Sequence, residues 1–120
     1  MRKLTYYENI LFVEVDGRIA FGDRPGGGNF YVYSNYAIEL EQWYHIAATR
    51  TSASDIKLYI NGVLDNSGST TPYANTGIKY RIGTINTGHF PFNGKIDDVR
   101  IYDKVLSSGE IWQLYQKGLN

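Results

Sequence analysis

Apolar and polar residues alternate along much of this chain with the two-residue period of extended backbone. Residues 55–60 show it most clearly: Ile56, Leu58 and Ile60 fall on one face, Lys57 and Tyr59 on the other. Asn61-Gly62 then supplies a tight hairpin turn into Val63-Leu64. Residues 10–15 and 18–22 are rich in β-formers, and Asp16-Gly17 between them predicts a second hairpin with a two-residue turn. Further strands are expected over 29–34, 43–50, 79–84 and 94–102.

The intervals are as informative as the strands. Asp23-Arg24-Pro25-Gly26-Gly27-Gly28 breaks all regular structure and reads as a surface loop. Residues 65–77 are mostly Asn, Ser, Thr and Gly, and predict a long connection of the kind that carries function. Residues 87–93 form an aromatic loop before the last strand. The pattern then changes period: Ser107 stands as N-cap with Glu110 three residues on, and Leu106 is placed to staple onto Ile111. A helix over 108–116 follows, with Ile111, Leu114 and Tyr115 on its inner face and Gly118 placed to stop it. The expected fold is all-β, an antiparallel two-sheet β-sandwich with one short C-terminal helix, forming a single domain over 1–120.

Three segments carry a family resemblance in this order: Trp43-Tyr44-His45-Ile46-Ala47-Ala48-Thr49, then Ile56-Lys57-Leu58-Tyr59-Ile60-Asn61-Gly62, then Phe92-Asn93-Gly94-Lys95-Ile96-Asp97-Asp98-Val99-Arg100-Ile101-Tyr102. Residues 106–115, from Leu106-Ser107 to Leu114-Tyr115, supply a matching closing piece. Together they resemble the concanavalin A-like lectin/glucanase superfamily, in its laminin-G-like form. The resemblance implies a concanavalin A-like jelly roll whose first strands are lacking here. It also implies a packed, hydrogen-bonded imidazole at His45 and core positions for Trp43 and Phe92. A shortened sandwich exposes strand edges, so a homodimer is expected.

Composition narrows the functional classes. Twelve basic and twelve acidic residues balance, so no long-range field gathers nucleic acid or an anionic membrane. No stretch has transmembrane length, and neither nucleic-acid binding nor membrane insertion is expected. Residues 1–8 begin basic but contain no apolar core, so they do not read as a secretory signal. There is no cysteine, which excludes disulfides, thiolate metal sites and a cysteine nucleophile.

The carboxylates and imidazoles do not compose a catalytic set. Glu14-Val15-Asp16 is the single Glu-x-Asp, and Arg18 and Ile19 follow where hydrolases of the resembling fold continue to a second Glu. His45 and His89 are far apart in sequence and lack nucleophile or zinc-ligand spacing. Asp97 is sent inward with Val99 and Ile101 by the two-residue period, where it either accepts hydrogen bonds or binds calcium. Calcium is what resemblance to laminarinase-type hydrolases implies for that position.

Recognition is expected from loops. Tyr73 and Asn75 in the polar connection, and His89 and Phe90 in the aromatic loop, are the candidate ligand-binding residues. Trp112, off the apolar stripe of the helix, is expected to be partly exposed. The resemblance and the missing catalytic motif imply a non-catalytic carbohydrate-binding or adhesion module that meets a glycan or glycoprotein at an extracellular, cell-surface or virion location. A structural domain for oligomerisation, without a sugar site, is the alternative; a glycoside hydrolase is the least supported reading.

Overall fold

The structure is a computed structural model that describes residues 7–24, 30–51, 55–70 and 92–118. The glycine stretch 25–28 and the strand expected over 79–84 lie outside them.

Six strands and one helix follow in chain order: β1 (Tyr7–Val13), β2 (Arg18–Arg24), β3 (Phe30–Ala37), β4 (Ile46–Arg50), β5 (Asp55–Ile60), β6 (Val63–Ser69) and α1 (Ser108–Gly118). They form two antiparallel three-stranded sheets, β1-β2-β3 and β4-β5-β6, each a simple meander. Val32 of β3 meets Ile56 and Leu58 of β5 between the sheets, with Phe21 and Ala48 packed against them. Ile56 and Leu58 are fully buried, each worth about 1.5–3 kcal/mol of transfer free energy. Gly68 permits this closeness: a Cβ there would come within 2.9 Å of Val32.

The sheets are also clipped at one corner. β3 and β6 are edge strands. A bulge at Asp65, between the pairs Leu58↔Asn66 and Tyr59↔Leu64, turns the Asp65 carboxylate onto β3. That carboxylate accepts the backbone N–H of Asn35 and, at 3.3 Å, of Tyr36. Asn66 donates its side-chain amide to the Tyr33 carbonyl at 2.6 Å. Edge groups of β3 thus find partners on the other sheet. Within the first sheet, the buried Ser34 hydroxyl accepts the Ile19 N–H at 2.8 Å and donates to the Tyr36 carbonyl at 2.7 Å, where the β2–β3 register shifts.

Several sequence expectations need correction. The first hairpin closes with three residues, Val15, Asp16 and Gly17, because Gly17 N–H bonds the Glu14 carbonyl at 2.9 Å and Glu14 N–H bonds the Arg18 carbonyl at 2.8 Å. Gly17, at φ +91°, takes the bulge position that only glycine occupies freely. β6 runs to Ser69, so the polar residues 65–69 are strand and not loop. Their polar side chains suit an edge. Tyr59 is buried, because its face of β5 is covered by the C-terminal segment.

The largest departure is at 94–102, where there is no strand. Asp98 sits at φ +53°, in the left-handed region, which interrupts the two-residue alternation. Ile96, Val99 and Ile101 are exposed, and Phe92 is exposed as well. β4 begins at Ile46, three residues later than expected, and Trp43 lies on the approach to it, 66% exposed rather than in the core.

Candidate functional site

The C-terminal segment stands against the outer face of the second sheet. Its helix is secured as expected: Glu110 N–H bonds the Ser107 hydroxyl at 3.1 Å, and Ser107 N–H bonds the Glu110 carboxylate at 3.0 Å. The Ser107 N–H holds the Glu110 carboxyl below its ordinary 4.5, helped by the Lys104 ammonium 3.7 Å away. Ile111 is fully buried and Leu114 and Tyr115 half-buried. The helix runs two residues past the expected end; Gly118 is its last residue and does not adopt a positive φ.

Family motif residues converge where this helix meets the β5–β6 turn. Asn61 and Gly62 both have positive φ, +51° and +78°. The Asn61 side chain accepts the His45 N–H at 2.9 Å, and Asn61 N–H returns a bond to the His45 carbonyl at 2.8 Å. A Cβ on Gly62 would lie 2.7 Å from Trp112 and 2.9 Å from Tyr115, so the helix needs glycine here for contact as well as for φ. Tyr115 lies 6.0 Å from the His45 ring and 5.6 Å from the Trp112 ring, centroid to centroid. Trp112 is partly exposed, as expected.

His45 departs from the expected hydrogen-bonded imidazole. Its main chain makes the bonds, while its buried Nδ1 has no partner. Burial lowers its pKa below 6.5, partly opposed by the nearby Asp98 carboxylate and reinforced by Arg100.

Beside this junction a cleft of about 330 Å³ opens between β4, β5 and residues 105–110. Thr49 and Thr51, Asp55 and Lys57, and Ser107 and Ser108 supply its polar groups, and Val105 and Leu106 an apolar wall. Thr49 and Lys57 are paired across β4 and β5 and project to the same outer face. Hydroxyls, a carboxylate and an ammonium over an apolar wall can match a polyhydroxylated ligand. Two carboxylates, Asp55 and Glu110, border the cleft, but Glu110 is committed to the capping box. Its lowered pKa is the opposite of what a general acid requires.

Tyr73, Asn75, His89 and Phe90 lie outside the described residues. Asp97 is exposed, not inward, and accepts the Asp98 N–H at 2.8 Å. Asp98 is turned to Arg100, 3.0 Å away. Among the described residues no three His, Asp or Glu side chains are grouped as they would be around a metal ion. Among the described residues, no helix is long and apolar enough to cross a membrane.

Sequence reasoning did not find the cleft. The period-two pattern marks Thr49 and Lys57 as outward-facing, but an outward face becomes a site only where another element stands against it.

The laminin-G model of the Concanavalin A-like lectin/glucanases superfamily matches residues 5–112. The chain belongs to this superfamily. Among solved structures it is similar to an S-layer domain-containing protein (residues 221–444) from Clostridium thermocellum, with a TM-score of 0.57 and 31% identity. The match covers 88% of this chain and 54% of that one, so the chain spans about half the length of its structural relative. No curated protein matches.

Proposed function

We propose that this laminin-G-like domain is a non-catalytic recognition module of a cell surface, binding carbohydrate on a glycan or glycoprotein. The observation that carries the reading is the cleft beside the capping box: hydroxyls of Thr49, Thr51, Ser107 and Ser108 with the Lys57 ammonium over the apolar wall of Val105 and Leu106. Such a lining suits the hydroxyl pattern and C–H face of a sugar. Hydrolysis needs one carboxyl held protonated near neutrality. Glu110 is pulled the other way. The S-layer relative supports the surface location.

Affinity electrophoresis through gels containing soluble polysaccharides tests this. Retardation is expected in at least one polysaccharide, weakened by Lys57→Ala or Thr49→Val, with no reducing ends released. Unchanged mobility in every gel would remove the cleft from consideration, and release of reducing ends would remove the non-catalytic reading.

A further inference from the structure

The His45 imidazole stands between a fixed element and a movable one. Its main chain is fixed directly before β4: the N–H bonds the Asn61 side chain at 2.9 Å, and the carbonyl takes the Asn61 N–H at 2.8 Å. Tyr115 of α1 meets the ring from the other side, centroids 6.0 Å apart. Side-chain packing seats that helix, with Ile111 buried and Trp112 and Tyr115 laid over Gly62. A helix held in this way can lift as a unit, whereas β4, β5 and β6 are tied by ladder hydrogen bonds.

Buried polar atoms are almost always hydrogen-bonded, and an orphan calls for a physical reason. The Nδ1 of His45 is buried and has no partner among the described residues. As the bare nitrogen of a neutral imidazole it tolerates that isolation. A proton added there becomes a charged donor with no acceptor at hand. Tyr115 meets it ring to ring, and the Asn61 side-chain oxygen already takes the His45 N–H. The Asp98 carboxylate favours the imidazolium, but it is turned to Arg100, 3.0 Å away, which opposes it.

We propose that His45 is a proton-operated latch on α1: when neutral it lets the helix close over the β5–β6 turn, and when protonated it drives the helix off that turn to reach water. The closed state binds the proton less readily than the open one. Closure is therefore fully present above pH 6.5 and is lost as the pH falls toward the depressed folded value. Glu110, on the same helix, titrates below 4.5 and lies outside this window. Ser107, Ser108 and Glu110 at the helix start border the cleft, so lifting α1 removes part of its wall. Resting on the carbohydrate reading, the latch makes the cleft capture ligand near neutrality and release it in mild acid; the helix movement itself does not depend on that reading.

Amide exchange read by mass spectrometry on the intact chain, from about pH 8 to about pH 5, tests the latch. Protection of residues 111–118, corrected for the intrinsic pH dependence of exchange, is expected to fall by about tenfold per pH unit in the window below 6.5, while β4 and β5 stay protected. Trp112 emission, isolated by Trp43→Phe, is expected to shift to the red with the same midpoint. His45→Phe keeps a ring against Tyr115 without a titrating group and is expected to abolish both changes. His89→Gln removes the chain's other imidazole and is expected to keep both. Helix protection that stays flat through the window, a loss shared equally by β4 and β5, or a step that survives in His45→Phe would each overturn the proposal. The wild-type exchange pattern decides even where a His45 variant does not fold. Neither readout uses a ligand, so a flat titration leaves the carbohydrate reading standing, and a cleft that binds no sugar leaves the latch standing.

Discussion

Asp65 and Asn35 hold each other twice across the two sheets. The Asp65 carboxylate accepts the Asn35 backbone N–H, and the Asn35 side-chain amide donates to the Asp65 carbonyl at 3.0 Å. The same carboxylate takes the Tyr36 N–H. Hydrogen bonds to a charged acceptor are worth more than neutral ones, and losing it leaves edge donors to water. Asp65→Ala is therefore expected to destabilise the fold by about 1–2 kcal/mol in urea unfolding. Ser67→Ala, on the exposed side of β6, is the control and should leave the midpoint unchanged.

Gly62 is required twice, by its φ of +78° and by the rings of Trp112 and Tyr115. Gly62→Ala is expected to cost about 1–3 kcal/mol and to shift tryptophan emission as the helix is pushed off the turn. Gly118→Ala, with nothing within 4 Å of its added Cβ, is expected to be neutral or slightly stabilising.

These contacts mark what the sequence makes legible. The alternation of Ile56, Leu58 and Ile60 named β5 residue for residue, Asn61-Gly62 named its turn, and Ser107 with Glu110 named the helix start, because each is a local rule satisfied by residues a few positions apart. Tyr59, Trp43 and the strip around Val99 were misjudged because burial depends on what another element covers. The outward face of β5 is buried at Tyr59 by the C-terminal segment, while Val99 and Ile101 carry a strand pattern that pairs with no strand among the described residues. The cleft was invisible for the same reason.

The capping box carries a pH signature. Glu110 titrates below its ordinary 4.5 in the folded chain, so its contribution is fully present above that value and is lost as the pH falls through the depressed folded value. Asp16 acts in the same direction, its carboxyl held below 3.8 by the Arg18 N–H. Glu110→Gln is expected to flatten the acid limb of stability as the pH falls below 4.5. Ser107→Ala should cost about 1 kcal/mol at pH 7 by thermal unfolding.

His45 adds a second, higher window. Its folded pKa lies below 6.5 because burial disfavours the imidazolium. The unfolded chain binds the proton more readily, so the stability associated with neutral His45 is present above pH 6.5 and declines as the pH falls toward the depressed value. Proton NMR titration should place the His45 midpoint below 6.5. A midpoint above 6.5 would mean that Asp98 outweighs burial and that the junction gains rather than loses stability on protonation.

Recognition of carbohydrate without hydrolysis is read out by a glycan array probed with the intact chain. Reproducible binding to a defined sugar class is expected, reduced in Lys57→Ala on the cleft and in Tyr73→Ala or His89→Ala, with the bound glycans left uncut. An array with no binding at any glycan, or cleavage of the immobilised sugars, would contradict it.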